Sequence, residues 1–323
     1  MKVRSAFLLV PCAALITFAY ACSDSASNNP PPAGDAGSKA DAAPGVDAAP
    51  LPDSGPPPTV GPVELKFEAR VGAEPFACGK TYAGIGTSSA TAAAGDLRFF
   101  IHDVKLLRGT EEVPVTLDTR APWQSARLAL LDFEDKTGEC EFGTSGTNDI
   151  VKGSVLGTGF DGITFKIGVP EDLNHLNKDL QPAPLPGSGL NWDWTNGYIH
   201  IAVQLNSMKL ESDGVARVPP FYSHVGSTQC SGDPADGGTP GCALKNRPTV
   251  RLSGFDPTKS KIVLDAKKLY EGSNIDVNTP DTIPGCMSSP SDPECPPIFT
   301  RFGLDFATGL PKGSPVIFSV EPR

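Results

Sequence analysis

Imidazole and indole side chains are scarce here, four His and three Trp in 323 residues. The places where both gather therefore narrow the search for chemistry. One is Val169-Pro170-Glu171-Asp172-Leu173-Asn174-His175, followed by Asn191-Trp192-Asp193-Trp194-Thr195-Asn196-Gly197-Tyr198. The other is Phe221-Tyr222-Ser223-His224-Val225-Gly226-Ser227-Thr228-Gln229-Cys230. Both stretches are turn-rich, which puts His175 and His224 in loops or at strand ends, where binding residues concentrate. Neutral imidazole is the commonest metal ligand and suits copper. In an extended segment Trp192 and Trp194 project to one face. An electron-rich indole pair beside an imidazole pair can pack round a soft ion or be oxidised. Spacing alone favours a plainer arrangement, with the tryptophans as core plugs and the histidines as hydrogen-bonded loop anchors. His102 sits mid-strand, where a structural His is common, and is a reserve ligand. His200 lies on an alternating strand and ranks below it, and Trp123 is a third choice of indole.

Other chemistries lack their residues. Neither GxSxG nor HExxH occurs, and no phosphate loop is present. Gly226-Ser227-Thr228 follows soon after His224 but lacks the grammar of a nucleophile elbow. No carboxylate pair stands out as an acid/base couple, so the chain reads as a binding protein and not an enzyme. Its formal charge of -10 and the lack of a basic run exclude nucleic acid as an expected partner. They disfavour an anionic lipid surface as well.

The elements that must position these residues read as strands. Val63–Ala69 alternates apolar and charged residues, as a half-buried strand does. Leu97–Leu106 alternates less strictly. Arg127–Phe133, Ile150–Gly157, Gly162–Val169, Gly197–Leu205, Thr249–Leu252, Ile262–Asp265 and Val316–Val320 follow, several of them separated by glycine turns. Gly (34) and Pro (33) are too abundant for a helical bundle. The expected fold is all-β, an antiparallel β-sandwich with Greek-key-like connections and long loops. Helix is minor, with one turn expected at Pro170–His175 and Pro at its first position.

Residues 1–21 read as a secretory signal peptide, with Lys2 and Arg4 before the apolar run Ala6–Tyr20. Ala19-Tyr20-Ala21-Cys22 resembles a lipoprotein cleavage box, which makes Cys22 the expected lipidation site and a lipid anchor the only expected tie to a membrane. Residues 22–62 are a Pro-, Ala-, Gly- and Asp-rich tether too poor in large apolar residues to fold. Residues 63–323 form a single domain. Six further cysteines imply about three disulfides in an exported chain. Fifteen pairings are possible. Short loops favour Cys230–Cys242 and Cys286–Cys295, which leaves Cys78–Cys140. No CxxC pair with a second one beyond it suggests a thiolate metal site.

Taken in order, these segments resemble the MbnP-like copper-binding proteins, the metallo-mystery pair four-cysteine family. The likeness is carried by Phe76-Ala77-Cys78-Gly79 with Tyr82 and Gly84, by Asp96–Leu106, and by Leu131–Asp135 with Gly138 and Cys140. It continues through Gly143-Thr144 with Asn148, Gly168-Val169-Pro170 with Leu173-Asn174-His175, and Trp192-Asp193-Trp194 with Gly197-Tyr198. His224–Thr228 with Cys230 and Cys242, Asn246-Arg247 and Phe255-Asp256 complete it. The resemblance implies an exported β protein of the periplasm or cell surface, expected as an outer-membrane lipoprotein with a role in copper homeostasis. It implies a di-haem cytochrome c peroxidase-like (MbnH-like) partner that oxidises a Trp to kynurenine, after which the protein binds copper, expected as Cu(I). Carried over, His175 and His224 are the ligands, with His102 in reserve, and Trp192 or Trp194 is modified. The four family cysteines map to Cys78, Cys140, Cys230 and Cys242, and Cys286 and Cys295 form an extra bridge. A second class of function is a surface glycan-binding or adhesion β-sandwich that uses the Trp pair as a stacking platform.

Overall fold

The computed structural model describes residues 59–193, 195–232 and 241–323. Cys22, the signal segment, most of the tether and Trp194 lie outside the described residues. The first strand, Val60–Val71, begins slightly ahead of Val63. It buries Val63, Leu65, Phe67, Ala69 and Val71 on one side, the period-2 pattern read from its sequence.

This strand is central to a six-stranded sheet. Ile150–Leu156 pairs with it antiparallel and Ser260–Asp265 pairs parallel on its other side. Phe318–Pro322 and Thr116–Leu117 extend the sheet beyond these neighbours. A ten-stranded sheet faces it, running Thr249–Ser253, Gly162–Ile167, Ala90–Arg108, Gly197–Ser207, Tyr222–Gly226 and Gly285–Cys286. Both sheets are mostly antiparallel. The exceptions to the antiparallel expectation are the Val60–Val71/Ser260–Asp265 pair and the Tyr222–Gly226/Gly285–Cys286 pair. The sandwich closes on aromatic rings: Phe67 lies 6.1 Å from Phe99 and 5.9 Å from Phe165, and Phe318 lies 5.9 Å from each of the latter two, all edge to face. Each such buried ring contributes about 1.5–3 kcal/mol of transfer free energy.

The strand Ala90–Arg108 explains its own loose alternation. Ala90, Ala92 and Ala94 point into the sandwich, then Leu97, Phe99 and Ile101, then Val104 and Leu106. The inward set changes from even to odd and back because two residues are extra to the ladder. One is Gly95, where the pairing with Gly197–Ser207 shifts register. A Cβ there would lie 2.9 Å from the Gln204 and Asn206 side chains, which would have to shift to admit it. The other shift falls between His102 and Lys105, where Asp103 has φ 51°. Between the two bulges Asp96, Arg98, Phe100 and His102 face away from the sandwich.

That outer face is covered in turn. The segment after Gly168 lies over it through two short 3-10 turns, Glu171–Leu173 and Lys178–Leu180. Pro170 caps the first turn and does not open it. A second apolar cluster forms beneath the cover from Phe100, Leu128, Leu130, Val169, Leu185, Leu190, Tyr198, Ile199 and Ala202, with Trp123, Leu173 and Trp192 packed against it. The disulfides are Cys78–Cys140, Cys230–Cys242 and Cys286–Cys295.

Candidate metal centre

His224 is on a strand. Sequence reading places it in a loop or at a strand end, because the stretch Phe221–Cys230 is turn-rich. The stretch instead pairs with Gly197–Ser207, with His224 opposite Ala202 and Arg98 beyond. Phe221 and Val225 point into the sandwich, so by alternation Tyr222, His224 and Gly226 face the covered side. His224 is buried, and neither ring nitrogen has a hydrogen-bond partner among the described residues. Burial, then the charge of Arg98, pushes its pKa down to about 4. The imidazole is therefore neutral at neutral pH, the form that ligates metals.

The next outward position of the same strand is Gly226, and the Trp192 indole lies against it. A Cβ on Gly226 would come within 2.7 Å of the Trp192 six-membered ring, so the missing side chain is the space the indole fills. Its Nε1 is buried with no partner among the described residues. The strand Asn191–Asp193 holds it by pairing with Gly197 and Tyr198.

His175 approaches from the covering segment. It lines a cleft of about 550 Å³ together with Trp192, Asn191, Asp193 and the turn 176–179. Asn174 fixes this turn to the sheet: its Oδ1 accepts from the Tyr198 N–H at 3.1 Å, and Gly197, with φ 80°, leaves room for it. With Oδ1 accepting, Asn174 Nδ2 is the donor to His175 Nε2 at 3.0 Å. The His175 lone pair therefore sits on Nε2, which also lies 3.2 Å from Cys242 Sγ.

The other candidates have different surroundings. His200 is fully buried and uses both ring nitrogens, accepting at Nδ1 from the Val169 N–H at 3.4 Å and donating at Nε2 to Ser227 Oγ at 3.1 Å. Ser227 passes its own proton to the Lys245 carbonyl, so His200 is a structural bridge. His102 Nε2 is buried and unpartnered among the described residues. Burial and then Arg247, Lys166 and Arg127 push its pKa down to about 4, against the one anion Asp103. Trp123 packs against the second apolar cluster, over Gly146. Trp194, the other candidate for modification, lies outside the described residues.

Sequence reading missed a buried ion pair beside His224. Arg98 binds Asp96 bidentately, Nε–Oδ1 2.8 Å and the second nitrogen to Oδ2 at 2.7 Å, with both side chains 1% exposed. Its remaining nitrogen donates to the Ser188 carbonyl and pins the covering segment to the sheet. Asp132, nearby, is pushed up to about 7 by burial. An Asp-x-Arg alternation inside an otherwise apolar strand is the one sequence signal that could have located this pair. Among the described residues a second cleft, of about 600 Å³, is lined by Lys209, Glu211, Asp276 and Pro284, and brings no His, Cys or Trp.

A two-sheet β protein with three disulfides and an imidazole–indole site under a loop cover is the class that these observations define. The MbnP family matches residues 60–288, and the chain belongs to that family. It is similar to the solved structure of MbnP from Methylosinus trichosporium, with 30% identity and a TM-score of 0.72, the match covering 82% of this chain and 99% of that one. A search of curated proteins gives no match.

Proposed function

We propose that this chain is an exported copper-binding protein that acts in copper homeostasis. Its ligands are His175 and His224, and its site is completed by oxidation of Trp192 to kynurenine by a di-haem cytochrome c peroxidase-like partner. The observation that carries this reading is the position of Trp192. Its indole lies on Gly226, two residues from His224, and walls the same cleft as His175. His224, whose ring nitrogens have no partner among the described residues, and His175 Nε2 supply imidazole donors of the kind a soft ion takes. Copper bound there would supply a redox-active, low-coordinate centre.

The residues of the chain do the rest. His224 is held neutral by burial, so it loses no proton on binding. Asn174 orients His175, and Gly226 seats the indole. Opening the indole ring yields an aniline nitrogen and a ketone, donors that tryptophan lacks. In this reading the chain is the protein substrate of its partner and catalyses nothing itself. Export as a lipoprotein through Cys22 to the periplasm or cell surface belongs to the same proposal.

The test is coexpression with a di-haem partner, followed by fragmentation mass spectrometry of the peptide that holds Trp192 and Trp194, and by metal analysis. The expected product has taken up oxygen at one Trp, with or without loss of the formyl carbon, and holds about one copper. His175→Ala and His224→Ala are each expected to lose the copper. Unmodified tryptophans and metal-free protein from an active coexpression overturn the reading. Retention of ligand binding in both His variants, with loss on Trp192→Ala, moves it to the glycan platform.

A further inference from the structure

His175 faces sulfur as well as indole. Its Nε2 is 3.2 Å from Cys242 Sγ, and the ligand atoms of His175, Cys230 and Cys242 all lie within 4.8 Å of one another. The two cysteines oppose each other across the hairpin of Thr228–Ser231 and Gly241–Leu244, with Cα atoms 3.8 Å apart. While they are joined as a disulfide their sulfurs are poor ligands, because the thiolate is the binding form. Cys230 and Cys242 are also register partners in the hairpin ladder, so reduction leaves the two thiols side by side next to the imidazole.

We propose that His175, Cys230 and Cys242 form a latent thiolate–imidazole site for a soft cation, Cu(I) or Zn(II), which opens when a dithiol reduces the Cys230–Cys242 bridge. The step balances by thiol–disulfide exchange. The dithiol's thiolate attacks one sulfur, the Cys230–Cys242 bond breaks, and the dithiol closes to its own disulfide, passing two electrons and two protons to the cysteines. Binding of the cation then releases the two thiol protons. Two sulfurs and one nitrogen leave a fourth tetrahedral position open.

Three observations single out this bridge. Cys230 is only partly buried, whereas Cys286 and Cys295 are fully buried. The remaining bridge, Cys78–Cys140, also has a third group within 4.8 Å, but it is Glu134, a hard carboxylate oxygen that soft cations disfavour. His175 Nε2, which accepts from Asn174 Nδ2, already lies 3.2 Å from Cys242 Sγ, so a cation between them would take the lone pair in exchange for that bond. The inference shares His175 with the proposed copper site but rests neither on tryptophan oxidation nor on His224.

The experiment uses protein made without the partner, reduced with dithiothreitol, desalted without oxygen and titrated with Cd(II). The readout is the sulfur-to-cadmium charge-transfer absorption. Reduced protein is expected to bind about one Cd(II) with this band, and oxidised protein to show none. The band is expected to vanish in C230S/C242S and to persist in C78S/C140S after the same reduction. His175→Gln keeps the bridge and the hairpin and supports the assignment even where the double variant does not fold. It is expected to weaken Cd(II) binding by more than about tenfold, a loss that outer-shell partners alone can cause. Absence of the band in reduced, folded protein overturns the proposal. So does a band that survives in C230S/C242S, is lost in C78S/C140S, or is indifferent to His175→Gln.

Discussion

The two faces of the strand Ala90–Arg108 share a backbone and are both buried, yet they are built in opposite ways. The inner face is aliphatic and aromatic throughout, with Leu97, Phe99 and Ile101 meeting Phe67 and Phe318. The outer face carries Asp96, Arg98 and His102 beside Phe100, and its neighbours supply His200, His224 and Gln204. Apolar packing is satisfied by shape alone, but every polar group under the cover needs a named partner or costs desolvation. Most have one. His224, Trp192 Nε1, His102 Nε2, Tyr198 Oη and Gln204 Oε1 do not among the described residues, and of these His224 and Trp192 come together at Gly226.

The comparison is sharpest at its two anchors. Phe99→Ala is expected to cost about 3–5 kcal/mol by opening a cavity. Asp96→Ala is expected to cost a similar amount, about 3–5 kcal/mol, because Arg98 is left charged and unpaired. The faces then part company: replacing Asp96 and Arg98 together by apolar residues of like volume should recover most of that loss, and no second substitution does so for Phe99. Urea unfolding of the four proteins checks this, and a small cost for Asp96→Ala alone breaks the distinction.

A smaller effect probes the site itself. Gly226→Ala puts a methyl group into the Trp192 ring and is expected to cost about 1–3 kcal/mol by overpacking. It should also displace the indole toward water, read as a red-shifted tryptophan emission. Unchanged emission would mean that Trp192 is not seated on Gly226.

The polar face also predicts a pH dependence. Unfolded, His200 takes up its proton near pH 6.5. Folded, burial and then Arg247 hold it neutral well below that. Below about pH 6.5 the unfolded chain therefore binds the extra proton, so the contribution of His200 is intact above that pH and is lost as pH falls. Asp132 works the other way, since burial lets the folded chain keep a proton up to about pH 7. The informative quantity is thus a difference: between about pH 7 and pH 5 the wild type should lose more stability than His200→Gln. Equal losses by thermal unfolding would remove His200 from the account. The smallest effect is expected at the rim, where Arg127 and Asp172 are 55% and 62% exposed. Arg127→Ala there should change stability by less than about 1 kcal/mol in urea unfolding.

Much of the inner face was legible in the sequence, because strict alternation, as at Val63–Ala69, reports a surface with one dry side. The outer face was harder to read. Its strands are buried on both sides, which blurs the alternation that finds strands. Tyr222–Gly226 was hidden in this way, since flanking prolines and Gly226 look like turn chemistry until Phe221 and Val225 are seen to fill the sandwich. His175 and Trp192 were found as a pair because both residue types are rare. The approach of His175 to Cys242 was not, because sequence separation hides a contact made across two loops. The Asp96–Arg98 pair was visible as residues but not as a clamp, since its third bond goes to a backbone carbonyl that carries no sequence signature.

The bulges at Gly95 and Asp103 work as a pair of parity switches. Upstream and downstream of them, even-numbered residues feed the sandwich; between them, even-numbered residues feed the site. The chain can therefore vary the polar strip from Asp96 to His102 without disturbing the alanines before it or Val104 and Leu106 after it. A single inserted or deleted residue inside the strip would hand its charges to the sandwich and its phenylalanine to the wrong layer. Two compensating changes, one at each bulge, would slide the strip along the strand and leave both ends of the ladder in phase.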